Sequence, residues 1–372
     1  MDRSFRKLLM LCVAAGCGGS SATPDGAIIS SDGALNTDAA KACAAKTTQL
    51  AKVACAANAF LDTLSTSERT TAALALTDYV SRSKWNNLPV QMKPRAGLQL
   101  AGISATSQAA ALDLLQIALS EKGHATVTGL LRADDYLGTM QSGYGSSLYS
   151  LAIVGTPSES SDFEIMFGGH HMAYNLNFVG GAFFPTPQHL GAEPKASFEF
   201  NGATYAPMVS KGAAMFAIYE ALSASERTSA YLSGQSFNDV VVTPDMDYGK
   251  GQSRSSKSAY PTGSNRKGML VSAMSDSQRA LVTVAIEEWA RQYPAEVADP
   301  LMAAYVAGYD DTYFAWGGAA AGPNADTSGS YLRIDGPRVW IELVVQGGII
   351  IRNTTHYHSI YRDKTGDYGG QF

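Results

Sequence analysis

Apolar residues recur along this chain with two different periods. From 275 to 293 they fall four apart: Leu281, Ala285, Trp289 and Tyr293 form one stripe and Pro294 ends it, a spacing that predicts an amphipathic helix packed on a core. Three segments share a start signal for helices, TLSTSERTTAAL at 63–74, ALSASERTSAYL at 221–232 and AMSDSQRALVTV at 273–284. In each, a serine stands three residues before Glu or Gln (Ser65/Glu68, Ser223/Glu226, Ser275/Gln278). This is the capping box, in which the two side chains satisfy backbone N–H groups that would otherwise lack partners. Ser104 ahead of ATSQAAALDLLQIAL marks a fourth start. Elsewhere the pattern is that of strands. FEIMFGGHHMAYNLNFVGGAFF, from Phe163, is followed by SFEFNGATYAP, whose Asn201-Gly202 signals a hairpin. Near the end, YFAWGG, YLRI, RVWIELVV and IIIRNTTHYHSIYRD are punctuated by Asp335-Gly336-Pro337 and Gly347-Gly348, which predicts an antiparallel meander. Helices, sheet, helices, sheet is not the regular βαβ alternation of a parallel sheet. The prediction is a single α+β domain over 41–372, its helical N-terminal part packed on a mainly antiparallel sheet with a C-terminal β-meander.

Composition narrows the class. Of 372 residues, 45% are hydrophobic and 16% charged, which excludes collagen-like, disordered and coiled-coil chains. The net charge of −5, with no dense Lys/Arg stripe, gives no footprint for nucleic acid or for an anionic membrane surface. A polar stretch at 243–268 contains Lys250, Arg254, Lys257, Arg266 and Lys267 and reads either as disordered or as a functional lid.

Residues 1–17 read as a secretory signal: Arg3, Arg6 and Lys7 precede a short apolar run, Leu8 to Ala15, that closes on small residues before Cys17. The Ala14-Ala15-Gly16-Cys17 ending resembles a bacterial lipobox, with Ala14 where Leu is more usual, and predicts a lipid-carrying Cys17. An ordinary signal peptide cut nearby is the alternative. Residues 18–40, small and polar, read as a flexible linker. The expected address is therefore the cell envelope, on its periplasmic or extracellular face, with the lipid anchor as the only membrane contact. Beyond the signal, Cys43 and Cys55 remain. One unbroken helix would hold them about 18 Å apart, so a disulfide, which an oxidising compartment favours, requires a break near Thr47 and Thr48.

The nucleophile elbow, the P-loop, the dinucleotide fingerprint and the HExxH motif are all absent. Histidine placement is the remaining chemical signal. Four of six histidines, His170, His171, His356 and His358, fall within strand-like segments. In THYHSIYRD the period of two sets His356, His358, Ile360 and Arg362 on one face and Tyr357, Ser359, Tyr361 and Asp363 on the other. Imidazoles at i and i+2 can converge on one Zn, Cu or Fe ion, or can simply hydrogen-bond within a sheet. In GGHHMAYN a regular strand points the adjacent histidines to opposite faces, His170 among core-like residues and His171 beside Asn175 and Asn177; a bulge at Gly168-Gly169 would exchange them. His171 is the expected third ligand and His170 the substitute. Glu193, Asp363 and Asp367 are candidate carboxylates, as ligand, as general base or as a partner of Arg362. Arg362 and Asn175 are candidates for holding a small anionic substrate. His189 sits in a Pro-rich segment read as a loop, and His124 reads as surface.

At these same residues the chain resembles a bacterial family known as domain of unknown function 3500. The resemblance runs over about 60–370 and rests on LTDYVSRSKWNNLP, GGHHMAYN, LGAEP, YFAWGG, YLRIDGPRVWIEL and HYHSIYRDKTGDYG. It departs at Tyr357, Ile360, Tyr361 and Tyr368. It implies no activity. Three functions stay open: a metal-dependent enzyme on a small anionic substrate, a non-catalytic surface binding or adhesion lipoprotein with structural histidines, and a metal-free acid-base enzyme.

Overall fold

Alternation along the strands and three-residue caps at the helix starts sort the chain into layers. The computed structural model describes residues 34–242 and 260–371. The expected signal, Cys17, most of the expected linker and 243–259 of the polar stretch lie outside the described residues.

Helices α1 (Asp38–Ala44) and α2 (Gln49–Asp62) are separated by a turn, and Thr48 caps α2 by accepting from Ala51 N. The turn brings the Cα atoms of Cys43 and Cys55 to 5.4 Å, and the two form a disulfide. α3 (Thr66–Ala72) begins on the Ser65/Glu68 box and leads into the short β1 (Ala73–Leu74) and α4 (Tyr79–Arg82). After β2 (Leu98–Gln99) come the longer α5 (Ala105–Ala118), capped by Ser104, and α6 (Glu121–Gly138). The first half of the sheet follows as β3 (Ser150–Gly155), β4 (Phe163–Gly169), β5 (Met172–Val179), β6 (Ala182–Phe184) and β7 (Gln188–Ala192). A separate hairpin, β8 (Phe198–Phe200) with β9 (Ala203–Tyr205), turns at Asn201-Gly202, both with positive φ. Then come α7 (Val209–Glu220), α8 (Ala224–Ala230) on the Ser223 box, β10 (Met269–Leu270), α9 (Asp276–Ala290) on the Ser275 box, and α10 (Ala295–Ala307). The meander closes the chain: β11 (Tyr313–Gly317), β12 (Tyr331–Asp335), β13 (Val339–Gly347) and β14 (Thr355–Asp363).

Twelve strands form one sheet in the order β1-β3-β4-β5-β7-β14-β13-β12-β11-β10, with β2 on β3 and β6 on β5. The β1–β3 pair is parallel and the other strand pairs are antiparallel. The fold is α+β. Among the described residues no helix is long and apolar enough to cross a membrane.

Both faces of the sheet are covered, by different things. Tyr174, Leu190, Ile341, Leu343, Tyr357 and Tyr361 pack into a main core with the helices, including the expected stripe residues Ala285, Trp289 and Tyr293. The opposite face packs Ala173, Trp340, Val344 and Ile360 against irregular segments, through Trp85, Phe237, Val240 and Val242. Covering on both faces is why the C-terminal strands read as nearly continuous apolar runs. It also buries the polar residues of the second face, and the histidines are among them.

Candidate metal centre

His170 and His171 do not lie within one strand on opposite faces. Gly169 pairs with Met172, so the two histidines are the loop residues of a two-residue β4–β5 hairpin. His171 takes φ 59°, the left-handed region, at a cost of about 1 kcal/mol for a residue with a Cβ. Two backbone hydrogen bonds hold it: His171 N donates to Asn87 O at 3.0 Å and Gly191 N donates to His171 O at 2.6 Å. The turn sends both rings to one side, where they stack with centroids 3.7 Å apart. Arg95 fastens the tip from outside, donating to Gly169 O at 2.7 Å and Asn86 O at 2.9 Å.

On β14 the alternation holds, and His356 and His358 share the second face of the sheet. His358 lies opposite Gly191 of β7. Having no side chain, Gly191 lets the rings of His358 and His171 close over it: a Cβ there would stand 3.0 Å from His358 Cδ2 and 3.3 Å from His171 Cγ. His358 Nε2 is 3.1 Å from His356 Nε2 and 3.0 Å from His171 Nε2. All three residues are buried, and each places a ligand atom within 4.8 Å of the others.

The surroundings set the protonation. Burial, then the neighbouring imidazoles, push His171 well below the ordinary histidine range. Burial, with His358 and His170 next, lowers His356 to about 3. Both rings are therefore neutral at pH 7, the state that binds metals. His358 is oriented by Asp239, whose Oδ1 lies 2.9 Å from His358 Nδ1. A carboxylate only accepts, so it places the proton on Nδ1 and leaves the Nε2 lone pair facing the other rings. Burial pushes the Asp239 carboxyl up, but the hydrogen bonds it accepts, led by that of His358, hold the group below the usual range. Asn87 Nδ2 donates to Asp239 Oδ2 at 3.2 Å while Asn87 O accepts from His171 N, tying Asp239 to the hairpin tip.

Sequence reasoning missed Asp239, Asn87 and His189. His189 is in β7, fully buried, with its ring edge-on to His358 at 5.4 Å between centroids. Its flanking prolines read as a loop, yet the strand begins right after Pro187. Asn87 belongs to the SKWNNLP run that carries part of the family resemblance, the one signal that pointed to it. Asp239 had none.

The other expected residues lie elsewhere. His170 Nδ1 donates to Asp134 Oδ1 of α6 at 2.6 Å, so it adjoins the triad without being one of the three converging residues. Glu193 Oε1 accepts from Ile350 N at 2.9 Å and Ile351 N at 2.7 Å, anchoring the β13–β14 connection. Asp363 points away from the histidines and binds Arg338, Thr365 and Gly366 N. Arg362 is on the histidine face but is buried, paired with Asp367 at 3.1 Å and set over the Trp85 ring. Asn175 donates to Pro187 O at 2.9 Å and supports the entry to β7.

A family model described as a protein of unknown function, DUF3500, matches residues 46–370. The chain belongs to the DUF3500 family. The matched range of this DUF3500 protein contains all three converging histidines together with Asn87, Asp134, His170 and Asp239. No curated protein and no solved structure gives a significant match.

Proposed function

We propose that this DUF3500 protein is a metal-dependent enzyme whose ion is held by His171, His356 and His358. One observation carries the reading: three buried imidazoles from two distant stretches of chain converge through Nε2. Nitrogens about 2.0–2.1 Å from a tetrahedral ion stand about 3.3 Å apart. The pairs that share His358, at 3.0 and 3.1 Å, come within a few tenths of an ångström of that spacing, and all three ligand atoms lie within 4.8 Å of one another, so an ion draws in the His171–His356 pair to complete the set. A zinc, copper or iron ion so held supplies a Lewis acid with open positions for water or substrate, or a redox centre.

The chain's own residues divide the remaining work. Asp239 fixes the tautomer and angle of His358, with Asn87 bracing the carboxylate. His170, held by Asp134 and stacked on His171, is placed to take or give a proton beside the ligands. A small anionic substrate suits the site because three neutral ligands leave the ion's charge uncompensated. Arg362, engaged by Asp367, is not needed for that attraction. The proposed setting is the cell envelope, with a lipid on Cys17. What supports it is the leader sequence, together with the Cys43–Cys55 bond, a feature of oxidising compartments.

A second reading rests on the same distances, since 3.0 and 3.1 Å are also hydrogen-bond lengths between imidazoles. It makes the triad a structural network of a binding or adhesion protein. Elemental analysis after chelation and reloading decides. The enzyme reading expects about one equivalent of a transition metal, lost in His356→Ala/His358→Ala; less than about one-tenth equivalent in the wild-type protein ends it.

A further inference from the structure

We propose a second ligand site, remote in function from the histidines, that takes a small oxyanion, carboxylate or phosphate, with Lys211 as its counter-charge. A cavity of about 430 Å³ opens between α6, the residues after β9 and the start of α7. Its walls include Lys122, His124, Thr126, Tyr205, Ser210 and Lys211. Lys211 is 1% exposed. Among the described residues its only hydrogen bond is a long one, 3.4 Å to Thr126 Oγ1, and no carboxylate stands within ion-pair distance of it. An ammonium carries three donors, so two are left over in a buried setting, where an uncompensated charge is strongly disfavoured.

The acid whose charge reaches it, Glu288, relieves it only in part. Glu288 accepts from Lys122 Nζ at 2.7 Å and from Ser210 Oγ at 2.6 Å, so its charge is shared with another lysine. Two lysines against one carboxylate leave the cavity positive. The geometry adds a second attraction: α7 starts here with Met208 at its cap position, which offers no side-chain acceptor to the first-turn N–H groups. Burial lowers the Lys211 amine to about 8, and it remains mostly protonated at pH 7. An oxyanion in the cavity would supply the acceptors that Lys211 and the helix start lack.

The test uses the full chain. Inorganic phosphate and succinate are titrated separately at constant ionic strength, with chloride as control, by calorimetry and by NMR of the lysine Cε–Hε groups. The expected result is one saturable site for at least one anion, a shift of the Lys211 signal, and affinity reduced about tenfold or more in Lys211→Met but kept in Lys211→Arg. Phosphate-only or succinate-only saturation supports the site and names its anion. Absence of saturable binding by both, or wild-type affinity in Lys211→Met, overturns it. If Lys211→Met does not fold, the wild-type NMR titration decides: a Lys211 signal unmoved at saturating anion overturns the site. Binding that persists in His356→Ala/His358→Ala shows independence from the histidine centre.

Discussion

Gly191→Ala is the sharpest probe of how the sheet holds the imidazoles. Gly191 has no positive φ, so by chain entropy alone alanine there would stabilise the fold by about 0.4–1 kcal/mol. The packing reverses the sign. The new Cβ would lie 2.8 Å from Tyr357 O, 3.0 Å from His358 Cδ2 and 3.3 Å from His171 Cγ. The first contact is with backbone, so the β7–β14 ladder has to open by a few tenths of an ångström, and overpacking of that kind costs about 1–3 kcal/mol. The net expectation is a loss of roughly 1–2 kcal/mol in urea unfolding of the metal-free protein. The same contacts push two of the three ligand rings. Because such sites tolerate displacements of only about 0.5 Å, metal affinity should fall about tenfold to a hundredfold. Competition against a chelator of known affinity measures it. A variant as stable as the wild-type protein that binds metal equally well would refute the claim that close approach at Gly191 sets the ring positions.

Three further outcomes are expected. Asp239→Ala removes the acceptor on His358 Nδ1 and should weaken metal binding about tenfold to a hundredfold in the chelator assay; an unchanged constant would show that the carboxylate does not orient the ring. His170→Asn should keep the metal stoichiometry of the wild-type protein while losing about 1–3 kcal/mol of stability with the Asp134 contact; loss of the metal would make His170 a ligand instead. Burial raises Asp367 to about 6 against the pull of Arg362, above its unfolded value near 3.9. That contribution is complete below about pH 4 and is lost as pH rises through 6, by about 3 kcal/mol. Because the buried histidines with lowered pKa values raise stability over the same range, the effect is read as a difference: from pH 4 to 7 the urea stability of the wild-type protein should fall by about 3 kcal/mol relative to that of Asp367→Asn, and parallel curves would count against it.

Local chemistry was legible in the sequence, and long-range geometry was not. The capping boxes at Ser65, Ser223 and Ser275 form as read because each involves atoms three residues apart. The two faces of β14 form as read because the pleat enforces a period of two along any extended segment. The same rule misplaced His170 and His171, since it assumes an unbroken strand, and whether Gly168-Gly169 begins a turn or a bulge depends on which strands pair around it. Asp239 and Asn87 reach His358 across 119 and 271 positions of chain, from irregular segments without periodicity. Thus the residues alone determined the elements, the α+β class and which histidines to watch. Only the folded sheet, by setting β5, β7 and β14 side by side with a glycine between the rings, decided that the imidazoles meet and which carboxylate holds them, because contacts between distant segments arise from the packing of the whole and leave no trace in local pattern.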